Sequence, residues 1–143
     1  MLRNSASYNS NNEQAGKYLR IVQSPIPRKR ERIVVKRGLE FVLLRLEDVA
    51  LLYTENKLVY VADKEGKKFM AEHNLTELIT SLDETIFFRA NRQYIVNIAF
   101  IKSFKSYEKV KLQLALTIPE LSHHFIIVSQ EMAPHFRKWI GGE

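Results

Sequence analysis

Phe87-Phe88-Arg89-Ala90-Asn91-Arg92-Gln93-Tyr94-Ile95-Val96-Asn97 is the stretch on which the fold turns. Two apolar flanks, Phe87-Phe88 and Tyr94-Ile95-Val96, bracket a polar centre, Asn91-Arg92-Gln93. Large apolar groups are usually buried, so Phe87, Phe88, Tyr94, Ile95, Val96 and Ile98 read as core that fixes the direction of the segment between them. Asn, Arg and Gln are costly to bury without partners, so the centre is expected to face water or a charged molecule. Stacking of these aromatics on bases is the alternative use, and it belongs mainly to single-strand recognition.

Working outward, β patterns dominate. Ile33-Val34-Val35 and Phe41-Val42-Leu43-Leu44 are separated by Lys36-Arg37-Gly38-Leu39-Glu40, a hairpin with Gly38 in the turn. Ala50 to Tyr53 and Leu58 to Ala62 are two further runs around Thr54-Glu55-Asn56-Lys57, and Glu65-Gly66 marks the turn into Lys67 to Met70. Val110, Leu112, Leu114 and Leu116 alternate with Lys111, Gln113 and Ala115, the period of a strand with one buried face. Two helices interrupt the strands. Asn74 is an N-cap with Glu77 three residues on, and Leu75, Leu78, Ile79 and Leu82 recur at helical spacing, which predicts a helix over about Asn74 to Leu82. Near the C-terminus Met132, Phe136, Trp139 and Ile140 share a helical face ended by Gly141-Gly142, with Pro134 tolerable only in the first turn. The expected fold is mainly β, small antiparallel sheets with two or three short helices.

The 143 residues, 45% of them hydrophobic, suit one domain with its own core, and the absence of cysteine removes disulfides, thiolate nucleophiles and Cys-based zinc sites together. No apolar run approaches the ~18–20 residues of a membrane span, and the N-terminus is polar, so a soluble cytoplasmic protein with no membrane contact is expected. The net charge of +6 is unevenly placed. Residues 1–32 hold seven Lys/Arg and two acids, and the other 111 residues hold 15 basic and 14 acidic groups, so the two parts contribute +5 and +1. Residues 1–31 therefore read as a flexible basic tail and linker, stiffened by Ser24-Pro25-Ile26-Pro27, ahead of a nearly neutral domain at 32–143. The tail's Arg28-Lys29-Arg30 run suits DNA phosphates or simple solvation equally.

Little here supports catalysis. His123-His124 is the only histidine pair, and adjacent residues on a strand point to opposite faces, which is poor metal-chelating geometry. Asp83-Glu84 and Glu47-Asp48 suit turn or helix-end positions, and no Gly-rich phosphate loop is present. The chain is expected to be no enzyme, and to hold no metal and no cofactor.

Binding is better supported, because three polar segments fall where strands should end: Glu55-Asn56-Lys57, Asn91-Arg92-Gln93 and Ser129-Gln130-Glu131. Arg matches the guanine edge in the major groove and Asn or Gln the adenine edge. An ordinary hydrophilic turn is the competing reading of each segment taken alone. Arg89 is placed to reach a phosphate or pair with an acid, and Lys102, Lys105, Lys109 and Lys111 form either a phosphate-binding strip or a solvated face.

The Phe-Phe-Arg-x-x-Arg-x-Tyr-x-Val-Asn order at 87–97 resembles the signature of the LytTR family of bacterial DNA-binding domains. Leu46 to Lys57, Ile127-Val128-Ser129-Gln130 and Phe136-Arg137-Lys138-Trp139-Ile140 are similar to other parts of that domain, so the resemblance runs from about Arg32 to the C-terminus. It implies a transcription regulator of a two-component type signalling system that inserts loops into the major grooves of double-stranded DNA. Carried over by position, the DNA-binding residues are Asn56, Lys57, Arg89, Asn91, Arg92, Gln93 and Gln130. Gln130 stands where members commonly place arginine, and Asn91 where many place histidine, so the target sequence is expected to differ. Members usually carry a phosphoacceptor receiver domain, which the residues before 32 are too few to hold. The chain is then a free-standing regulator, a fragment, or the partner of a separate sensor or receiver protein, with a homodimer on repeated half-sites as one means of control. A β-rich protein-interaction module that has kept the fold and lost DNA binding is the competing function.

Overall fold

The structure is a computed structural model that describes residues 29–141. Of the tail and linker expected at residues 1–31, residues 1–28 lie outside these. Lys29 to Glu31 already belong to the domain: the Arg30 amide donates to the Ser81 carbonyl (2.9 Å) and the Leu46 amide to the Glu31 carbonyl (3.0 Å).

The elements run β1 (Arg32–Arg37), β2 (Glu40–Arg45), β3 (Val49–Glu55), β4 (Leu58–Asp63), β5 (Lys68–Ala71), α1 (Leu75–Ser81), β6 (Phe87–Arg89), β7 (Tyr94–Asn97), β8 (Ile101–Tyr107), β9 (Lys111–Leu116), β10 (Ile126–Val128) and α2 (Ala133–Trp139). The strands form a seven-stranded sheet in the order β2-β1-β5-β4-β3-β7-β6 and a three-stranded sheet β10-β9-β8. Every pairing is antiparallel. The mainly β reading holds, with one sheet larger than a set of small sheets. Gly38 (φ +62°) makes the β1–β2 turn as expected, and Gly66 (φ +84°) permits a close approach, since a Cβ there would lie 2.5 Å from that of Glu120. Asn74 caps α1 through a reciprocal box: its carboxamide oxygen accepts from the Glu77 amide (2.8 Å), and the Glu77 carboxylate accepts from the Asn74 amide (3.1 Å).

The large sheet is buried on both faces at its β3–β7 end, because each face covers a different partner. One face packs on α1 through Ile33, Val35, Leu52, Val59, Val61, Phe87 and Ile95. The other meets the small sheet and α2 through Tyr53, Phe88, Ala90 and Val96. Period-2 alternation sends Phe87 and Ile95 to one core and Phe88 and Val96 to the other. A register shift between Val49 and Leu51 puts Ala50 and Leu51 together in the second core. There Phe136 is fully buried, its ring 5.5 Å from that of Phe88 and 5.1 Å from that of Phe104.

The histidine pair departs from expectation. His123 and His124 follow the 3-10 turn Pro119–Leu121 rather than lying on a strand, and their rings sit 4.2 Å apart. A proline-initiated turn overrides the extended conformation assumed from the sequence, and it tucks His124 between the sheets. Its Nδ1 lies 3.0 Å from the Tyr94 hydroxyl, its ring 4.4 Å from that of Tyr53, and its Nε2 is buried without a partner. Burial, then the charge of His123, holds the His124 imidazole below the ordinary histidine pKa. The folded state thus binds this proton more weakly than the unfolded chain. The group's contribution to stability is full above the unfolded value of about 6.5 and is lost as pH falls below it. Thermal unfolding followed from about pH 7.5 down to about pH 5.5 is expected to show a falling Tm, with a shallower fall in His124→Phe; equal slopes in the two proteins would show that His124 titrates alike folded and unfolded.

Candidate nucleic-acid interface

Cross-strand partners Lys36, Met70, Tyr60, Tyr53 and Tyr94 form one row across the large sheet. Measured from that row, the β3–β4 turn and the β6–β7 loop lie at the same end, and the Gly38 turn lies at the other. The loop between β10 and α2 joins the first two through hydrogen bonds. The Thr54 amide donates to the Gln93 carbonyl (3.0 Å), tying the first segment to the second. The Ser129 amide donates to the Ala90 carbonyl (3.1 Å) and the Asn91 carboxamide to the Ile127 carbonyl (2.6 Å), tying the second to the third. Three segments far apart in sequence thus form one surface.

Within the first segment Asn56 (φ +51°) and Lys57 (φ +67°) make a two-residue turn with both residues in the left-handed region. That twist suits a tight hairpin. Asn accepts it readily, but Lys does so at a cost on the order of 1 kcal/mol. Both side chains are exposed, and neither has a hydrogen bond or ion pair among the described residues. Glu55 is occupied: its carboxylate accepts from Lys68 Nζ at 3.0 Å, and Lys68 lies 4.1 Å from the Tyr60 ring centroid. The bond to Glu55 raises the Lys68 pKa. An acid at this end of the sheet is thereby matched by a cation.

In the second segment the residues divide by task. Asn91 is turned inward, its carboxamide oxygen accepting from the amides of Gln93 (2.6 Å) and Tyr94 (3.1 Å) while its nitrogen holds Ile127. Arg89 is also structural: Nε donates to the Asn91 carbonyl (3.1 Å), Nη2 to the Arg92 carbonyl (2.9 Å) and Nη1 to Thr76 Oγ1 (3.0 Å). The planar guanidinium therefore clamps two loop carbonyls and ties them to the first turn of α1. Burial, then the charge of Arg92, lowers the Arg89 pKa, and the group stays a cation. Among the described residues Arg89 pairs with no acid. Arg92 and Gln93 are exposed, with side chains free of partners among the described residues.

In the third segment the Ser129 carbonyl and hydroxyl both accept from the Met132 amide (3.0 and 3.3 Å), turning the chain into α2 and leaving Gln130 exposed. A shallow groove of about 620 Å³, lined by Thr76, Arg89, Asn91, Arg92, Ser129, Glu131 and Met132, runs between α1 and this turn. The structure thus gathers all seven expected residues into one region. Asn56, Lys57, Arg92, Gln93 and Gln130 point outward, and Arg89 and Asn91 brace from within. The inward role of Asn91 was legible as an Asx turn, an Asn two residues before a backbone donor in a loop. The partnership of Thr76 with Arg89 left no trace in the sequence. Lys102, Lys105 and Lys109 are exposed on the small sheet, and Lys111 pairs with Glu108 at 3.1 Å. No group of His, Asp or Glu among the described residues suits a metal ion, and no described helix is long and apolar enough to cross a membrane.

The family model of the LytTr DNA-binding domain matches residues 40–141. The chain is similar in structure to the solved LytTr DNA-binding domain of a response regulator from Bacillus cereus, with a TM-score of 0.69 and 24% identity over 78% of this chain and 98% of that one. No curated protein matches at a significant level.

The division of tasks predicts unequal costs in stability. Asn91→Ala leaves two backbone donors and the Ile127 carbonyl without partners and is expected to cost about 1–3 kcal/mol in chemical denaturation, whereas Arg92→Ala is expected to stay within about 0.5 kcal/mol. Lys57→Gly relieves the left-handed lysine and is expected to gain up to about 1 kcal/mol. Equal losses in the Asn91 and Arg92 variants would contradict the assignment.

Proposed function

Since the chain belongs to the LytTR DNA-binding domain family, we propose that it regulates transcription by sequence-specific binding to double-stranded DNA, with its three loops inserted in the major groove. Arg92 reads a guanine edge, Asn56, Gln93 and Gln130 meet adenine edges or neighbouring phosphates, and Lys57 contacts phosphate. Arg89 and Asn91 hold Arg92 in its direction and do not themselves touch bases. The single observation that carries this reading is the lacing of the three segments into one rigid surface from which only the free polar side chains project. Preorganisation matters because a mobile loop would lose side-chain and backbone entropy on binding. Signal input from a separate sensor or receiver protein, in a bacterial two-component setting, belongs to the same proposal.

The competing reading as a protein-interaction module draws on the nearly neutral domain and on glutamine at position 130. The single-strand reading loses its basis, because Phe87 and Phe88 are buried and Tyr94 packs against the second core. Selection of bound sequences from a random duplex pool, with wild type and Arg92→Ala in parallel, separates the two surviving readings. DNA binding predicts an enriched motif for wild type that relaxes at one position in Arg92→Ala, with a loss of about 1–3 kcal/mol. Lys57→Gly is expected to weaken binding across all sequences and to lower the salt slope by about one unit. A folded wild type that enriches no motif would favour the interaction module.

A further inference from the structure

The two edges of the large sheet are built differently. β6, at one edge, is three residues long and is covered by α2, with the Phe88 ring 5.1 Å from that of Trp139. β2, at the other, is six residues long and pairs with β1 in an unbroken register from Arg32–Arg45 to Arg37–Glu40, without a bulge or a proline. Natural sheets commonly guard an edge by shortening it, bending it or placing charge along it. β2 has none of these devices between its ends. Its interior is Phe41-Val42-Leu43-Leu44.

The surface beside this edge is apolar. Phe41 is 63% exposed and Leu43 62% exposed, with Val34 (58%) directly across from Leu43 on β1. Met70 lies on the same face on β5, beyond Lys36, whose Nζ is 5.6 Å from the Phe41 ring centroid. These side chains lie on the sheet face away from α1, where the small sheet does not reach. Contiguous exposed apolar residues of this kind mark an interaction site.

We propose that the occupant of the β2 edge is a second copy of this chain, paired antiparallel along β2 about a two-fold axis normal to the sheet at Val42. Three features select this partner. Arg37–Glu40 closes the two-residue hairpin, so the alternation of an antiparallel ladder turns the amides and carbonyls of Phe41 and Leu43 away from β1, toward the edge that no described strand pairs. A two-fold axis at Val42 sets Phe41 of each copy opposite Leu43 of the other, joining two exposed pairs into one cross-strand cluster. The same axis sets Glu40 opposite Leu44 and Arg45 opposite Leu39 of the other copy, so no like charges face each other, whereas an in-register parallel pair would set Glu40 against Glu40 and Arg45 against Arg45.

The symmetry fixes one functional consequence. The axis reverses strand direction between copies, so the loop ends carrying Asn56 and Arg92 point in opposite senses. Such a dimer holds two separate duplexes and does not lay both surfaces on one straight duplex. This consequence rests on the DNA-binding reading; the dimer itself does not.

Sedimentation equilibrium on the full chain tests the edge, with Leu43→Lys and Phe41→Lys as edge variants, Val110→Lys as a control at an exposed apolar residue of the small sheet, and circular dichroism to confirm folding. The expected result is a wild type that reaches twice the chain mass in the micromolar range, a dissociation constant raised about tenfold or more in the folded edge variant or variants, and no change in Val110→Lys. A wild type that stays at single-chain mass up to high micromolar concentration overturns the proposal, as does a dimer that persists in a folded edge variant. For the consequence, an immobilised duplex carrying the selected motif is expected to retain a second, labelled copy of that duplex with wild type and not with Leu43→Lys. A wild-type dimer that binds the immobilised duplex without retaining the second overturns the opposed arrangement. A wild type that binds no duplex overturns the DNA reading alone, and the mass measurement still decides the edge.

Discussion

The structure depends on strand β7 having no free side. β3 and β6 pair with its two edges, Ile95 enters the core against α1, and Val96 enters the core against the small sheet. Because both faces are apolar, alternation alone would tolerate a one-residue slip; the buried polar residue next in line does not. Asn97, 1% exposed, donates from its carboxamide to the Val49 carbonyl (2.8 Å) and accepts from the Ala99 amide (2.9 Å). A slip would strand that amide in an apolar layer, at a cost of about 1–3 kcal/mol for each unmatched group. Asn97 thus sets the register of β7, and the register sets where Asn91-Arg92-Gln93 emerges.

From that fixed point the proposed binding surface follows by local bonds. Arg89 engages three of its five N–H donors, and Asn91 three of its four hydrogen-bonding positions, inside the protein, which ties down the backbone that carries Arg92 and Gln93. The arrangement also explains how a nearly neutral domain can serve a polyanionic partner. Its positive groups need not dominate the sum if they are free at the right end, and there Glu55 is matched by Lys68, Lys57 and Arg92 are in no ion pair among the described residues, and Glu131 is the one exposed carboxylate in the groove beside Arg92.

Much of this was legible in the sequence. The Phe87 to Asn97 pattern, the Gly38 turn and the Asn74–Glu77 cap each follow from local chemistry, and the structure has all three. What was not legible depended on distance in sequence. Nothing in the order of residues shows that Thr76 accepts from Arg89, or that Ile127 anchors Asn91 across 36 positions. Arg89 looked free because alternation puts it on the polar side of a strand, and only the folded loop reveals that its fork finds two carbonyls. His124 was misplaced because Pro119 starts a turn where an extended chain was assumed. The exposure of Phe41 and Leu43 was equally hidden, since an apolar run at an edge reads the same as one in a core.

Three loops laced by hydrogen bonds are proposed to act as one DNA-binding surface. Amide chemical-shift mapping of the isotope-labelled chain, titrated with a duplex carrying its selected motif, tests it most directly. The largest shifts are expected together at 56–57, 91–93 and 129–131, with the β1–β2 and β8–β9 turns little changed. Shifts concentrated at either of those turns, with 91–93 unmoved, would contradict it.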